Sequence, residues 1–168
     1  MLGRTHILAG LTAGLIVSRY TGQGGELITM GVAAAAALLP DIDSSKSMIS
    51  RNVPVAPWVL ENTMGHRGAM HSIAGALAVS LLISFLLRQW YPAAIIQSMI
   101  PAFMAGYLSH LVLDTLTNSG VPWLWPLPLR IRLPLAQTGG LLERTVVMPA
   151  LVLVFLVLIS SFWRGLFW

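Results

Sequence analysis

Four histidines and three aspartates carry the chemistry of this chain, and all seven fall into four short clusters. These are Arg4-Thr5-His6, Pro40-Asp41-Ile42-Asp43, His66-Arg67-Gly68-Ala69-Met70-His71-Ser72 and His110-Leu111-Val112-Leu113-Asp114. Such groups are costly near hydrocarbon, and metal coordination is the commonest way to offset that cost repeatedly in one small chain. The clusters point to a metal site embedded in a membrane. With no cysteine present, nitrogen and oxygen alone must hold any ion.

His110 and Asp114 stand at i and i+4, so on a helix they project from one face, one turn apart. That suits two ligands of one metal, and equally a capped helix end in which the imidazole donates to the carboxylate. Asp41 and Asp43 end an apolar helix, where the macrodipole disfavours negative charge and makes a neighbouring cation more attractive than two solvated loop carboxylates. His66 and His71 are five apart, roughly 140° around a helix, so they cannot share a face of one regular helix. His66 must come from a loop and His71 from a helix start, with Gly68 permitting the bend and Arg67 between them as an anion binder. His6 alone would be read as structural. Seven potential ligands exceed the four that one zinc takes, and they suit a two-metal cluster acting on a phosphoryl or acyl centre.

The elements that position these groups are apolar. The chain has 168 residues, enough for a single domain over 1–168, and is 56% hydrophobic with a mean hydropathy of +0.77. Only 10% of residues are charged, against about 25% in a soluble domain, so the chain could not cover a water-facing surface. Apolar stretches run over 7–17, 27–40, 72–87, 93–115 and 145–163. The first two fall short of the roughly 20 residues a bilayer needs, which predicts that the helices extend through the clusters at His6 and Asp41. Gly10, Gly14 and the run 33–37 are small residues suited to close helix packing. Residues 41–70 and 118–144 are rich in proline and polar residues and read as surface loops. The expected fold class is an all-α integral membrane bundle of about five helices with two Pro-rich loops.

Counting crossings brings every cluster to one side. Helix one leaves that side at His6, helix two returns at Asp41, helix three leaves from His71, and helix four returns at His110 and Asp114. The same side carries Arg4, Lys46, Arg51, Arg67, Arg130, Arg132 and Arg144, against Arg19, Arg88 and Arg164 opposite. The positive-inside rule then puts the site on the cytoplasmic face.

Taken together, Leu39-Pro40-Asp41-Ile42-Asp43-Ser44, His66-Arg67-Gly68 with His71-Ser72, Ser109-His110 through Asp114 with Thr117 and Gly120, and Trp125-Pro126 resemble the YdjM-like family. These are bacterial inner-membrane proteins described as metal-dependent hydrolases. Met70 stands where threonine is common in that pattern. The resemblance implies metal binding by His6, Asp41, Asp43, His66, His71, His110 and Asp114. Asp43 and Glu143 are the candidate catalytic carboxylates, and Arg67, Arg130 and Arg132 the candidate substrate-binding residues. The expected cofactor is a divalent metal, two ions, with zinc suited to the imidazoles and manganese or iron also compatible. The expected activity is hydrolysis of a lipid or lipid-linked phosphoester by metal-activated water in the bacterial inner membrane. Membrane lipids are the expected partners, nucleic acid is not, and the oligomer is left open. The rival reading is a divalent-metal transporter or a metal-binding membrane protein without catalysis. Transport would favour ligands near the midplane and access from both faces, whereas Glu26 is the sole acidic residue on the opposite side.

Overall fold

The computed structural model describes residues 1–22, 26–43 and 68–166. His66, Arg67 and most of the first Pro-rich loop lie outside the described residues, as does the side chain of Asp43. The described residues form five α-helices and no strand: α1 Gly3–Thr21, α2 Glu26–Ala36, α3 Ile73–Leu87, α4 Ala93–Thr115 and α5 Met148–Leu166. Short 3-10 turns at Leu39–Asp43 and Ala69–His71 precede and follow the undescribed loop, and a π-turn at Glu143–Val147 leads into α5.

Small residues set the packing. A Cβ on Gly10 would stand 2.7 Å from the Ala33 carbonyl oxygen, and one on Gly14 would stand 2.6 Å from the Met30 Cα. A Cβ on Gly106 would overlap the Ala33 carbonyl outright. Helices α1, α2 and α4 therefore touch through backbone, as close packing in hydrocarbon requires. The pairing of Gly10 with Ala33 and Gly14 with Met30 makes α1 and α2 antiparallel. The pairing of Gly106 with Ala33, and of His110 with Ala37, makes α2 and α4 parallel. Ala36, Ala76, Phe103, Tyr107, Leu111 and Val121 form the main apolar core, which fixes α3 on α4. On the other side α5 runs along α1, with Glu143 meeting Leu2 and Thr5 near one end and Arg19 donating to the Leu158 carbonyl near the other.

Among the described residues, two helices are long and apolar enough to cross a membrane, over Ala93–Thr115 and Glu143–Ser161. Helix α2 differs from expectation: the stretch 27–40 does not continue as helix through Asp41 but stops at Ala36. Pro40 has no N–H to continue the ladder and disfavours α conformation in the residue before it, so the chain tightens into a 3-10 turn. On the outer surface of the bundle, Leu81, Phe85 and Leu153 are each more than 60% exposed, an apolar coat unusual for a soluble monomer.

The second Pro-rich loop is pinned across the end of α4. Val121 and Ile131 exchange both backbone hydrogen bonds at 3.0 Å, and Leu133 N–H donates to the Thr115 carbonyl at 2.7 Å. Leu127, Leu129, Ile131, Leu133 and Leu135 are all exposed at alternate positions of this loop.

Candidate metal centre

Five of the seven expected ligands meet at one end of the bundle. His6 comes from the first turn of α1, Asp41 from the 3-10 turn after α2, His71 from the turn before α3, and His110 and Asp114 from the last turns of α4. His6, His71 and His110 are fully buried, Asp114 is nearly so, and the Asp41 side chain is 20% exposed. One ligand atom from each of His6, Asp41 and His110 lies within 4.8 Å of the others, and the same holds for His71, His110 and Asp114. Either group could hold a metal ion.

The tautomer of His110 follows from its neighbours. Its Nδ1 lies 2.7 Å from the Ala37 carbonyl oxygen, which can only accept, so Nδ1 carries the proton. Pro40 makes that carbonyl available: in a 3-10 turn Ala37 would be served by the N–H of residue 40, and proline has none. In the neutral ring Nε2 then presents a lone pair, 3.3 Å from His71 Nε2. Asp41 Oδ1 lies 3.9 and 3.8 Å from these two nitrogens, and Asp114 Oδ2 likewise lies 3.9 and 3.8 Å away. Tetrahedral zinc bound at about 2.0–2.1 Å separates two nitrogen ligands by roughly 3.3 Å, so the imidazole pair fits one edge of such a site. A proton shared between the two nitrogens would satisfy the same spacing without metal.

His6 adds an observation the shared proton does not cover. Neither of its buried ring nitrogens has a hydrogen-bond partner. Its Nε2 lies 3.3 Å from Asp114 Oδ1 without hydrogen-bond alignment, and its ring stacks on His110 with centroids 3.7 Å apart. An imidazole stripped of water with both nitrogens unsatisfied is costly, and a metal bond at one nitrogen would offset part of that cost. The amino group of Met1 also contacts Asp114 Oδ1. The Asp114 carboxylate is thus split, with Oδ2 turned toward His71 and His110 and Oδ1 toward His6. Burial pushes the Asp41 carboxyl up from its ordinary value; His6 and His71 oppose the rise and Asp114 adds to it.

Neighbouring residues hold these positions. The Ser72 hydroxyl caps α3 by accepting from Gly75 N–H at 3.0 Å, and the buried Tyr107 donates to the Met70 carbonyl at 2.5 Å, locking the turn that carries His71. Thr117 donates to the Asp114 carbonyl at 2.7 Å, ending α4. Thr115 donates to the Leu111 carbonyl and accepts from the Trp123 indole at 2.8 Å. The sequence reading missed the Ala37 carbonyl and Tyr107; Pro40 was the available signal for the first.

Glu143, expected as a catalytic carboxylate, has another use. Its Oε1 accepts from Leu2 N–H at 2.7 Å and the Thr5 hydroxyl at 2.6 Å, and its Oε2 accepts from Gly139 N–H at 2.6 Å. It fastens the start of α1 to the turn before α5, and both of its oxygens are engaged there. Arg130 and Arg132 are exposed on the loop pinned to α4, flanking Ile131 in extended backbone, so they share one side. Arg67, His66 and the Asp43 side chain lie outside the described residues.

The family model described as YdjM inner membrane protein matches residues 1–167. The chain belongs to the YdjM family. It is 33% identical to YvsG of Bacillus subtilis (strain 168) over 153 residues, covering 91% of both chains. It is 40% identical to inner membrane protein YdjM of Escherichia coli (strain K12) over 121 residues, 68% of this chain and 59% of that one. It is 35% identical to inner membrane protein YbcI of the same organism over 127 residues, 73% of this chain and 65% of that one. The matches thus span less than two thirds of the two Escherichia coli relatives. No solved structure matches the chain. Family and exposed apolar surface together make this an inner-membrane protein.

Proposed function

We propose that the chain is a membrane-bound, metal-dependent hydrolase of a lipid or lipid-linked phosphoester. The observation that carries the reading is the His110 ring: its Nδ1 proton is committed to Ala37, so its Nε2 lone pair faces His71 and two carboxylates in a buried pocket of ligands. His71, His110, Asp41 and Asp114 would hold one ion. His6 and the second oxygen of Asp114 would take part in holding another, with Asp43 and His66 as further ligands. The unsatisfied nitrogens of His6 support that second position. When bound, such metals supply Lewis acidity and lower the pKa of water toward neutrality.

The protein's own part is to bind and orient. Helices α1 to α4 each bring one end to the site, and the bundle as a whole would sit in the membrane with its shorter helices partly embedded. Arg130 and Arg132, with Arg67, would bind a phosphate at headgroup depth, where arginine forms charge-assisted contacts. Asp43 is the candidate base for the attacking water. Water adds at phosphorus, the ester P–O bond breaks, and the lipid leaves as an alcohol. The test is metal analysis of the purified protein, followed by phosphate release from lipid phosphoesters in nanodiscs with and without chelator. Chelator-sensitive release from protein holding zinc, manganese or iron is expected. Protein that carries no metal after reconstitution with each ion would overturn the reading.

A further inference from the structure

An apolar cleft of about 530 Å³ opens between α2 and α3, outside the metal centre. Helix α4 forms its floor through Ile96, Met99 and Phe103, with Val32 of α2 and Ile83 of α3 on the walls. Its far end reaches Leu87 and Tyr91, and its near end reaches Ala36 and Leu39. Leu39 is two residues from Asp41, and Ala36 precedes the residue whose carbonyl orients His110. On α4, Ile96, Phe103 and His110 are spaced by seven residues, so they lie along one face with His110 about 10 Å beyond Phe103. The near end of the cleft thus lies toward the metal centre, with Leu39 next to the turn that carries Asp41.

We propose that this cleft holds one hydrocarbon chain of a lipid whose polar head lies at the metal centre. The inference rests on the metal-site reading for the head and on the cleft alone for the tail. The floor from Ile95 to Phe103 is about 12 Å long at 1.5 Å per residue. The volume then corresponds to a cross-section of about 45 Å², roughly half that of a helix 10 Å across. An extended alkyl or isoprenoid chain fits this width. Lining side chains are almost all aliphatic or aromatic, which excludes a polar peptide. The rise of about 10 Å from Phe103 to His110 along α4 is comparable to the length of a glycerol phosphate linker.

The test uses the wild-type protein in nanodiscs containing phosphatidic acid with a diazirine in one acyl chain. Ala35→Phe and Ser84→Phe narrow the cleft from opposite walls, and Leu81→Phe adds the same ring on the exposed outer face of α3. Cross-links are mapped by peptide mass spectrometry, and metal content is measured in parallel. Labelling should concentrate on Ile83, Met99 and Phe103, fall about tenfold in both narrowed variants, and stay unchanged in Leu81→Phe, with metal content constant throughout. Labelling spread evenly over Leu81, Phe85 and the cleft, or unaltered by the narrowing substitutions, would overturn the proposal while leaving the metal centre standing. Cleft-confined labelling in a protein that holds no metal would support the tail site and refute the metal reading. Because the chain has no cysteine, Ser84→Cys provides a unique thiol; near-complete disulfide dimers through it would assign the cleft to a second copy and overturn the lipid.

Discussion

Asp114→Asn isolates the metal from the fold, because the amide keeps the shape of the side chain and removes its charge. Asp114 Oδ2 stands 3.8 and 3.9 Å from the paired Nε2 atoms of His110 and His71, and Oδ1 stands 3.3 Å from His6. If both oxygens serve metal, the change weakens each position. Loss of a group that merely supports a ligand costs about 10–100-fold in metal affinity, so a ligand itself should cost about 100-fold or more. At a metal concentration 100 times the wild-type Kd, binding stabilises the native protein by about 2.7 kcal/mol. With Kd raised 100-fold, the same concentration contributes only about 0.4 kcal/mol. For a chain of this size the wild type should gain roughly 5–11 °C in Tm on adding metal, and the variant about 1–2 °C. The assay is thermal unfolding of chelated and reloaded protein in one detergent, with metal content measured on the same samples. An Asp114→Asn protein whose metal content and Tm gain equal those of wild type would refute the assignment of this carboxylate as a ligand.

Four further outcomes follow from the same geometry. His71→Ala should lower metal content and chelator-sensitive activity together while membrane insertion persists, and full activity in the variant would remove His71 from the ligand set. Glu143→Gln should cost about 1–3 kcal/mol in stability by weakening three buried or part-buried hydrogen bonds yet leave metal content intact, a split that a metal ligand would not show. Metal loading should fall as pH is lowered, because ligands must shed their protons to bind and burial raises the Asp41 pKa, so that protons compete there at a higher pH than at an ordinary carboxylate; loading unchanged down to pH 3.8, the ordinary value, would contradict the ligand set. Arg130→Gln with Arg132→Gln should raise KM for an anionic lipid and lower kcat/KM by about 100-fold, on the order of 3 kcal/mol, and unchanged kinetics would assign both arginines to topology.

Local rules made much of this protein legible from its residues. The i, i+4 spacing of His110 and Asp114 places both near the end of α4 because helical periodicity is a property of the chain alone. Hydropathy marked the stretches that became helices, and the small residues at 10, 14 and 33 marked where helices touch. Alternation of crossings brought His6, Asp41, His71, His110 and Asp114 to one end, since each helix must reverse direction. Pairing across long separations was not legible. Nothing local says that His71 Nε2 faces His110 Nε2 across 39 positions, or that the Asp114 carboxylate divides its oxygens between His6 and the other two imidazoles. Glu143 reads from the sequence as a candidate catalytic carboxylate; only the fold brings it the three donors, two of them 138 and 141 positions away, that engage both its oxygens. Pro40 shows the boundary between the two levels. Its missing N–H is written in the sequence and ends the helical ladder there, but only the approach of α4 determines that the freed Ala37 carbonyl sets the tautomer of His110.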